Sequence, residues 1–307
     1  MMEQGQSGDL ARAGARGGLR GTYVALATPM TRGGAVDEPR LRDLVEFVVA
    51  GGVDGLVPTG TTGESPTLDH VEHGRAIEIV IEAAAGRCPV MAGTGSNSTA
   101  EAIQLSSHAR EAGATSCLQV APYYNKPTQE GLYRHFRAIA EAVDLPHIIY
   151  NIPGRCGVAV EVSTLERMSE VPNIIGVKEA GGSVDRVSAL VARTSLDILS
   201  GDDSLTLPMM AVGARGVISV AANVAPARVA AMVRAAEAGD WAAARRLHLE
   251  LWPLFRDLFL ETNPIPVKAA LAMMGRAEEV YRLPLCPMAG ASRAQLQTTL
   301  RGLGVID

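Results

Sequence analysis

Residues 147–180 read HIIYNIPGRCGVAVEVSTLERMSEVPNIIGVKEA, and they contain the pattern from which the fold can be inferred. Two short apolar runs, residues 147–150 and 174–178, flank a longer stretch with helical spacing near residues 163–170. Short apolar runs that alternate with amphipathic stretches are typical of βα units around a parallel sheet. The stretch therefore predicts one strand, one helix and a second, parallel strand.

The same unit repeats along the chain from Gly21 onward. The apolar runs are residues 23–27, 55–58, 90–92, 117–120, 147–150, 174–178, 197–199 and 216–220. Helical candidates lie near residues 39–51, 69–86, 98–113, 129–143, 163–170, 183–194, 203–213 and 225–237. Eight consecutive βα pairs indicate a TIM barrel, since a doubly wound sheet usually stops at about five to seven strands.

The predicted fold class is α/β, a (β/α)8 TIM barrel with a C-terminal helical extension. The barrel is expected over residues 21–238, and three proline-interrupted helical stretches form the extension over residues 239–307. Residues 1–20 are rich in Gly, Ala and Arg and have neither an apolar signal core nor a periodic face. We interpret them as a disordered leader.

Composition indicates a globular enzyme and excludes several partners. The chain has 307 residues, 47% of them hydrophobic, and a net charge of −5 with scattered basic residues. This pattern favours neither nucleic acid nor an anionic membrane, and no apolar stretch approaches the roughly 20 residues that span a bilayer. The four cysteines lack paired or metal-ligand spacing, which predicts free thiols in a reducing cytoplasm.

Neither a metal nor a nucleotide cofactor is predicted. His70 and His73 have helical spacing, but no third ligand and no His-Glu-x-x-His motif accompany them. The chain contains no Walker loop, and Gly93-Thr94-Gly95 lacks the third glycine of a dinucleotide fingerprint.

Lys178 is the strongest candidate for a catalytic residue. The chain has 28 basic residues of which only three are lysines, and Lys178 lies inside the apolar run of residues 173–180. An apolar strand desolvates the ammonium and lowers its pKa, so that some free amine becomes available to form a Schiff base. The alternatives are a lysine that extends from a strand end to water, or one that pairs with Glu179.

The loops that follow the strands carry the other candidate site residues, since a barrel's active site lies at the C-terminal ends of its strands. Residues 60–63, Gly-Thr-Thr-Gly, could cradle a small carboxylate, although a capped strand-to-helix turn would look similar. Tyr150 and Arg155 leave one loop as a phenol that can relay protons and a guanidinium that can hold a carboxylate. A tyrosine at the core edge with a solvated arginine is the alternative.

Six motifs occur together in one order: Gly-Thr-Thr-Gly-Glu-Ser, Tyr-Tyr-Asn-Lys-Pro, Tyr-Asn-Ile-Pro-Gly-Arg, Gly-Val-Lys-Glu-Ala, Gly-Asp-Asp and Gly-Val-Ile-Ser-Val. With them, residues 21–300 resemble the dihydrodipicolinate synthase family of pyruvate-dependent class I lyases. The resemblance implies condensation of pyruvate with L-aspartate 4-semialdehyde to 4-hydroxy-tetrahydrodipicolinate, in the diaminopimelate and lysine pathway.

The resemblance also assigns roles to individual residues. It implies that Lys178 forms the Schiff base and that Tyr150, Thr62 and Tyr124 relay protons. Tyr124 would cross a subunit interface and complete the active site of the neighbouring subunit. This implies a homo-oligomer, which is expected to be a tetramer. The implied substrate-binding residues are Thr61, Thr62, Arg155, Gly201 and Ile218. L-lysine is an expected effector, at a second site formed by Ser65, His70, His73, Asn97, Glu101 and Tyr123.

Two other functions stay open. A sister lyase that cleaves N-acetylneuraminate or a 2-keto-3-deoxy sugar acid would share Lys178 and Tyr150, but Arg155 and the first threonine of the Gly-Thr-Thr-Gly loop favour the condensation. A non-catalytic pyruvate-binding regulator should have lost Lys178 or Tyr150, and both are present.

Overall fold

The computed structural model describes residues 18–307, and this part of the chain contains eight parallel strands that alternate with helices. The strands are β1 (Gly21–Ala25), β2 (Gly55–Val57), β3 (Met91–Gly93), β4 (Ser116–Val120), β5 (His147–Asn151), β6 (Ile174–Glu179), β7 (Asp197–Ser200) and β8 (Gly216–Ser219). The helices are α1 (Glu38–Ala50), α2 (His70–Ala84), α3 (Thr99–Ala112), α4 (Gln129–Ala142), α5 (Pro153–Cys156), α6 (Val162–Met168), α7 (Val184–Arg193), α8 (Thr206–Ala211), α9 (Pro226–Glu237), α10 (Trp241–Asp257), α11 (Ile265–Met273) and α12 (Gly290–Gly302).

The sheet closes on itself. Its strand order is β2-β1-β8-β7-β6-β5-β4-β3, and a parallel bridge between Leu56 and Val90 joins the two outer strands. The Gly93 N–H also donates to the Pro58 carbonyl at 3.0 Å. The predicted TIM barrel is therefore confirmed, and each of the eight predicted strands and eight predicted barrel helices begins and ends within three residues of its prediction. The one-turn helix α5 was not predicted.

Polar residues start the barrel helices where the sequence changes from loop to amphipathic stretch. Asp69 accepts hydrogen bonds from two backbone N–H groups of α2 and forms a capping box with Glu72. Ser98, Thr128 and Ser183 accept one each at the starts of α3, α4 and α7. These side chains satisfy N–H groups that have no partner within the helix, which fixes where each helix begins.

Side chains alternate between the barrel interior and the helices. Ile148 and Tyr150 belong to the interior cluster, whereas Ile149 and Val177 pack in the larger cluster between strands and helices. Tyr150 pairs in register with Lys178 on β6. Because side chains repeat every second residue along a strand, this register directs Lys178 into the interior beside Tyr150.

Of the segment predicted as a leader, residues 1–17 lie outside the described residues. Leu19 is buried under the barrel, and its N–H donates to the Asp197 carboxylate at 2.7 Å. Leu19 thus makes ordered contacts two residues before the predicted barrel boundary. None of the helices between residues 18 and 307 has the length and apolar character needed to cross a bilayer.

The C-terminal helices α10, α11 and α12 follow the eighth βα unit, as predicted. Residues 265–271 of α11 are all buried, among them Lys268. The Lys268 ammonium pairs with the carboxylate of Glu64, which directly follows the Gly-Thr-Thr-Gly loop, and both side chains are almost completely buried. The extension therefore holds this loop through a buried ion pair.

We expect Lys268→Met to lower the free energy of unfolding by about 3–5 kcal/mol, because it leaves the Glu64 carboxylate buried without its cation. At about 2 cal/mol/K of unfolding entropy per residue, this corresponds to a fall in melting temperature of roughly 5–8 °C. The double variant Glu64→Gln, Lys268→Met removes both charges and should recover much of the loss. Calorimetry showing the double variant no more stable than Lys268→Met would contradict this role of the pair.

Candidate active site

A cavity of about 430 Å³ opens at the C-terminal ends of β2, β3, β4 and β5. This is the end of a TIM barrel at which active sites occur. The candidate residues that line it are Thr61, Tyr150, Arg155, Ser65, His70, His73, Glu101 and Tyr123. Residues proposed for catalysis and residues proposed for regulation thus share one continuous space.

Lys178 lies beside Tyr150, a residue that lines this cavity, but Lys178 itself is not among the lining residues of the described chain. Its side chain is buried, with 6% of the residue exposed, and its Nζ lies 4.1 Å from the centroid of the Tyr150 ring. Burial lowers the pKa of Lys178 to about 7, and the charge of Arg155 also lowers it, whereas Asp203 opposes the shift. A large fraction of this amine is therefore unprotonated at neutral pH, as a nucleophilic lysine requires.

Asp203 is a buried carboxyl group near Lys178 that was not among the predicted site residues. Its carboxylate accepts hydrogen bonds from the Ser219 hydroxyl at 2.5 Å and from the Val220 and Ala221 N–H groups at 3.1 and 2.9 Å. Burial raises the pKa of Asp203 to about 6. Its position after β7, at the catalytic end of the barrel, was the available signal in the sequence.

Gly201 leaves room for the Lys178 side chain. A Cβ at this position would lie 2.8 Å from the Ala180 Cβ and 3.1 Å from the Lys178 Cε. Ile218, the other predicted pocket residue, is buried in the interior cluster that contains Tyr150. Both residues therefore lie where they can shape the space around the amine.

The Gly-Thr-Thr-Gly loop is a compact turn. The Gly60 carbonyl accepts hydrogen bonds from the Gly63 and Ser65 N–H groups at 3.1 and 3.3 Å, and the Thr28 hydroxyl donates to the Gly63 carbonyl at 2.7 Å. Glu64 follows it with a φ of 56° in the left-handed region. Such a conformation is uncommon outside glycine and is maintained here by surrounding contacts.

The two threonines of this loop contact different partners. Burial raises the pKa of Tyr150 to about 12, and the nearby Arg155 charge and a hydrogen bond with Thr61 oppose that shift. The Thr62 hydroxyl oxygen instead accepts a hydrogen bond from the Asn263 side-chain amide at 3.1 Å. Thr61 is therefore the threonine that acts on the phenol, whereas Thr62, the threonine expected in the relay, is held by the C-terminal extension.

Arg155 lies in the one-turn helix α5 that follows β5. Its Nη2 donates to the main-chain carbonyl of Asn263 at 2.9 Å. A guanidinium has five N–H donors, so this anchor leaves others available to the cavity that the residue lines. The arrangement suits a group that holds a substrate carboxylate.

Tyr124 is the catalytic candidate that the fold of one subunit does not bring to the others. It is 90% exposed, with a φ of 72° in the left-handed region, and it is absent from the cavity lining of the described chain. The neighbouring Tyr123 does line the cavity. A large, exposed aromatic side chain at this place is consistent with insertion into another subunit.

The residues predicted for an effector site form a polar cluster at one end of the cavity. The Glu101 carboxylate accepts hydrogen bonds from the Ser96 hydroxyl and from His70 Nε2, the latter at 2.8 Å, and both contacts lower its pKa. His73 is buried, which lowers its pKa to about 4, and its Nε2 donates to the Gly93 carbonyl at 3.0 Å. The cluster thus offers an anionic carboxylate beside a neutral imidazole.

Asn97 was expected to contact an effector, but in the structure its side chain contacts the main chain of Tyr123. Its side-chain amide donates to the Tyr123 carbonyl at 3.2 Å, and it does not line the cavity in the described chain. Asn97 therefore fixes the backbone of Tyr123. Elsewhere in residues 18–307, no group of three or more His, Cys, Asp or Glu side chains converges as a metal site would require.

Comparisons with known proteins agree with this geometry. A model of the dihydrodipicolinate synthetase family matches residues 18–303. The 4-hydroxy-tetrahydrodipicolinate synthase of Thermomicrobium roseum is 56% identical over 284 residues, covering 92% of this chain and 94% of that protein. A crystal structure of the chloride-inhibited dihydrodipicolinate synthase from Acinetobacter baumannii, complexed with pyruvate, is 46% identical with a TM-score of 0.92, covering 94% and 99% of the two chains.

A further solved structure, DHDPS from Cyanidioschyzon merolae with lysine bound, is 38% identical with a TM-score of 0.91, covering 94% of this chain and 99% of that chain. The family model spans nearly all of the described residues, and the relative from Thermomicrobium roseum shares more than half of the aligned residues. The chain therefore belongs to the dihydrodipicolinate synthetase family.

Proposed function

We propose that the protein condenses pyruvate with L-aspartate 4-semialdehyde to give 4-hydroxy-tetrahydrodipicolinate. The observation that carries this proposal is the buried Lys178 amine, with a pKa of about 7, beside Tyr150 and within the electrostatic influence of Arg155. The curated relative from Thermomicrobium roseum has a name that describes this activity. The free thiols among the described residues support a cytoplasmic location for the protein.

The first half of the reaction uses Lys178 as a nucleophile. Its neutral Nζ attacks the keto carbon of pyruvate, and loss of water gives an iminium. The positive nitrogen withdraws electrons from the neighbouring methyl group, so that a proton is lost and an enamine forms. Tyr150, whose ring contacts the amine, is the group that exchanges protons during these steps.

The two carboxylates need separate binding groups. Thr61 and Thr62, with the amides of their turn, hold the carboxylate of pyruvate next to Lys178. Arg155 holds the carboxylate of the semialdehyde through a bidentate contact, while its own contact with the Asn263 carbonyl fixes the guanidinium.

The second half forms the carbon–carbon bond. The enamine carbon attacks the aldehyde carbon, and the resulting alkoxide takes up a proton to become the hydroxyl group. The substrate's amine then attacks the iminium carbon and displaces Lys178, which closes the ring and restores the free enzyme. Tyr150 passes protons to solvent through Thr61, the threonine that acts on its phenol, and through the Tyr124 of another subunit.

The proposal is tested by assaying purified protein with pyruvate and a panel of aldehydes. Condensation with L-aspartate 4-semialdehyde should be the fastest reaction. Faster cleavage of N-acetylneuraminate or a 2-keto-3-deoxy sugar acid would assign the protein to a sister lyase. Pyruvate binding without any turnover would identify a non-catalytic regulator.

Tyr124 supports the proposal that the enzyme is a homo-oligomer, a tetramer built from tight dimers. We expect Tyr124→Phe and Lys178→Ala subunits each to be inactive, because each removes a group from a complete site. Mixing them after reversible dissociation should restore activity, since a mixed dimer has one site with both Lys178 and a partner's Tyr124. Random pairing across a two-fold interface would repair roughly a quarter of all sites. Ultracentrifugation that finds a fully active monomer would contradict this assembly.

L-lysine is the effector we propose for the polar cluster around Glu101. Glu101 can pair with a ligand's ammonium, and this cluster opens into the same cavity as Tyr150 and Arg155. We expect initial rates to fall as L-lysine increases, and Glu101→Gln to weaken this inhibition by at least about tenfold, the size of one charge-assisted contact. Uninhibited turnover should be little changed. Rates that stay constant at saturating L-lysine would exclude the effector and leave the catalytic proposal intact.

A further inference from the structure

The Glu179 carboxylate joins the ends of two strands to helix α7. Glu179 directly follows Lys178 at the end of β6, and its side chain is fully buried. Its oxygens accept hydrogen bonds from the Asn151 side-chain amide at 2.8 and 3.0 Å, from the Gly181 N–H at 2.7 Å and from Arg186 Nε at 2.9 Å. Glu179 is not among the residues of the described chain that line the cavity. Its carboxylate therefore binds other parts of the protein and not a substrate.

Two of these partners also hold Val160. The Val160 N–H donates to Asn151 Oδ1 at 3.0 Å, and the Val160 carbonyl accepts a hydrogen bond from Arg186 Nη2. Val160 ends the segment of residues 152–160, here called the Arg155 loop, which begins directly after β5. The loop is therefore closed at its base, because both main-chain polar groups of its last residue are bound to side chains of β5 and α7.

The chemistry of its neighbours fixes the orientation of the Asn151 amide. A carboxylate oxygen can only accept a hydrogen bond, and a main-chain N–H can only donate one. The opposite orientation would place the amide oxygen against the Glu179 carboxylate and the amide NH2 against the Val160 N–H. Asn151 is 1% exposed, so water cannot relieve either conflict. The amide must therefore donate to Glu179 and accept from Val160.

This network connects the groups proposed to bind the two substrates. Tyr150 pairs in register with Lys178, and the next residues along the two strands, Asn151 and Glu179, also pair. Because successive side chains of a strand point to opposite faces, the first pair faces the barrel interior and the second faces the helices. The outward pair thus links the Arg155 loop to the strand ends that carry the interior pair.

We propose that Asn151, Glu179 and Arg186 are positioning residues that hold Arg155 at a fixed place relative to Lys178. The second substrate's carboxylate is then bound where its aldehyde carbon meets the enamine. The inference rests on the proposed function, and the three residues act through the main chain of the Arg155 loop. Precise placement matters, since a displacement of about 1 Å in a group that orients a substrate can cost roughly a hundredfold in rate.

Arg186→Lys is the first test. The ammonium can still pair with Glu179, but it lacks the planar fork that reaches Glu179 and Val160 together. We expect the KM for L-aspartate 4-semialdehyde to rise about tenfold, the size of one charge-assisted contact, while covalent trapping of pyruvate with borohydride stays unchanged. Arg193→Lys is the matched control, because Arg193 lies on the same helix and pairs with the exposed Glu166. It should change neither measurement.

A double-mutant cycle separates positioning from a merely structural role. In an Arg155→Ala background, Arg186→Lys should cause little further loss of kcat/KM for the semialdehyde, since the loop no longer presents a guanidinium. A structural role would give the same loss in both backgrounds and would also slow the trapping of pyruvate.

Asn151→Ala covers the case in which Arg186→Lys folds poorly. It removes the acceptor of the Val160 N–H and leaves the ion pair between Arg186 and Glu179 in place, so the same pattern is expected. Equal losses in both backgrounds, slower trapping, or an unchanged KM for the semialdehyde would overturn the inference. Failure of the unaltered enzyme to trap pyruvate or to condense it with the semialdehyde would instead reject the proposed function.

Discussion

Replacing Lys178 with Arg should reduce turnover by more than about a thousandfold while the barrel stays folded, as expected when a nucleophile is lost. The guanidinium stays protonated at every accessible pH and cannot attack a carbonyl carbon. The side chain enters a buried space beside Tyr150 that already holds a long basic side chain, so the loss should be chemical more than structural.

The measurement is covalent trapping. Incubation of the unaltered protein with pyruvate and borohydride should add one reduced pyruvate per subunit, and peptide mapping should place it on Lys178. Lys126→Arg is the matched control, since Lys126 is exposed and its loss should leave trapping intact. The ammonium of Lys268 is paired with the carboxylate of Glu64, so we do not expect it to react with pyruvate. An adduct on either of these lysines would reject the mechanism.

The same lysine predicts the pH dependence of the reaction. Because burial lowers its pKa to about 7, the neutral and reactive form of Lys178 grows as the pH rises through that value. The value of kcat/KM for pyruvate should therefore increase from pH 6 to pH 8, which a measured pH profile would show. A rate that is flat across this interval would place the pKa of Lys178 elsewhere.

The fold could be predicted because its information is local. Each βα unit is a short apolar run followed by an amphipathic stretch with helical spacing, and eight of them in succession admit few other architectures. The ends of the helices are harder to predict than the helices themselves. A cap such as Asp69 can be recognised in the sequence only when the following helix has already been recognised.

The site could be predicted only in part, because its support comes from distant parts of the chain. Glu64 and Lys268 are 204 residues apart, and Thr62 and Asn263 are 201 residues apart. No spacing rule connects such pairs. Adjacent residues in the sequence are not always partners in the structure. Glu179 was considered as a partner of Lys178, but its carboxylate accepts hydrogen bonds from Asn151 and Arg186. The reason is that successive side chains of a strand point to opposite faces.

Arg155→Ala should separate the two half-reactions. The variant should still trap pyruvate on Lys178, because Arg155 is not required for the first substrate in the proposed mechanism. The condensation should slow by about thirtyfold to a thousandfold, which corresponds to the roughly 2–4 kcal/mol lost when a desolvated carboxylate loses its charged partner. The charge of Arg155 also lowers the pKa of Lys178, so rates should be compared above pH 8, where the amine is largely neutral in both enzymes.

A matched substrate shows whether this loss arises at the carboxylate. 3-Aminopropanal has the aldehyde and the amine of the semialdehyde but no carboxylate, so Arg155→Ala should slow its reaction much less than that of L-aspartate 4-semialdehyde. Arg155→Lys should recover only part of the rate, since a single ammonium cannot reproduce the two parallel hydrogen bonds of a guanidinium. Equal losses with both aldehydes would mean that Arg155 acts through the shape of the cavity instead. The loss of a carboxylate-binding group should have little effect on a substrate that has no carboxylate.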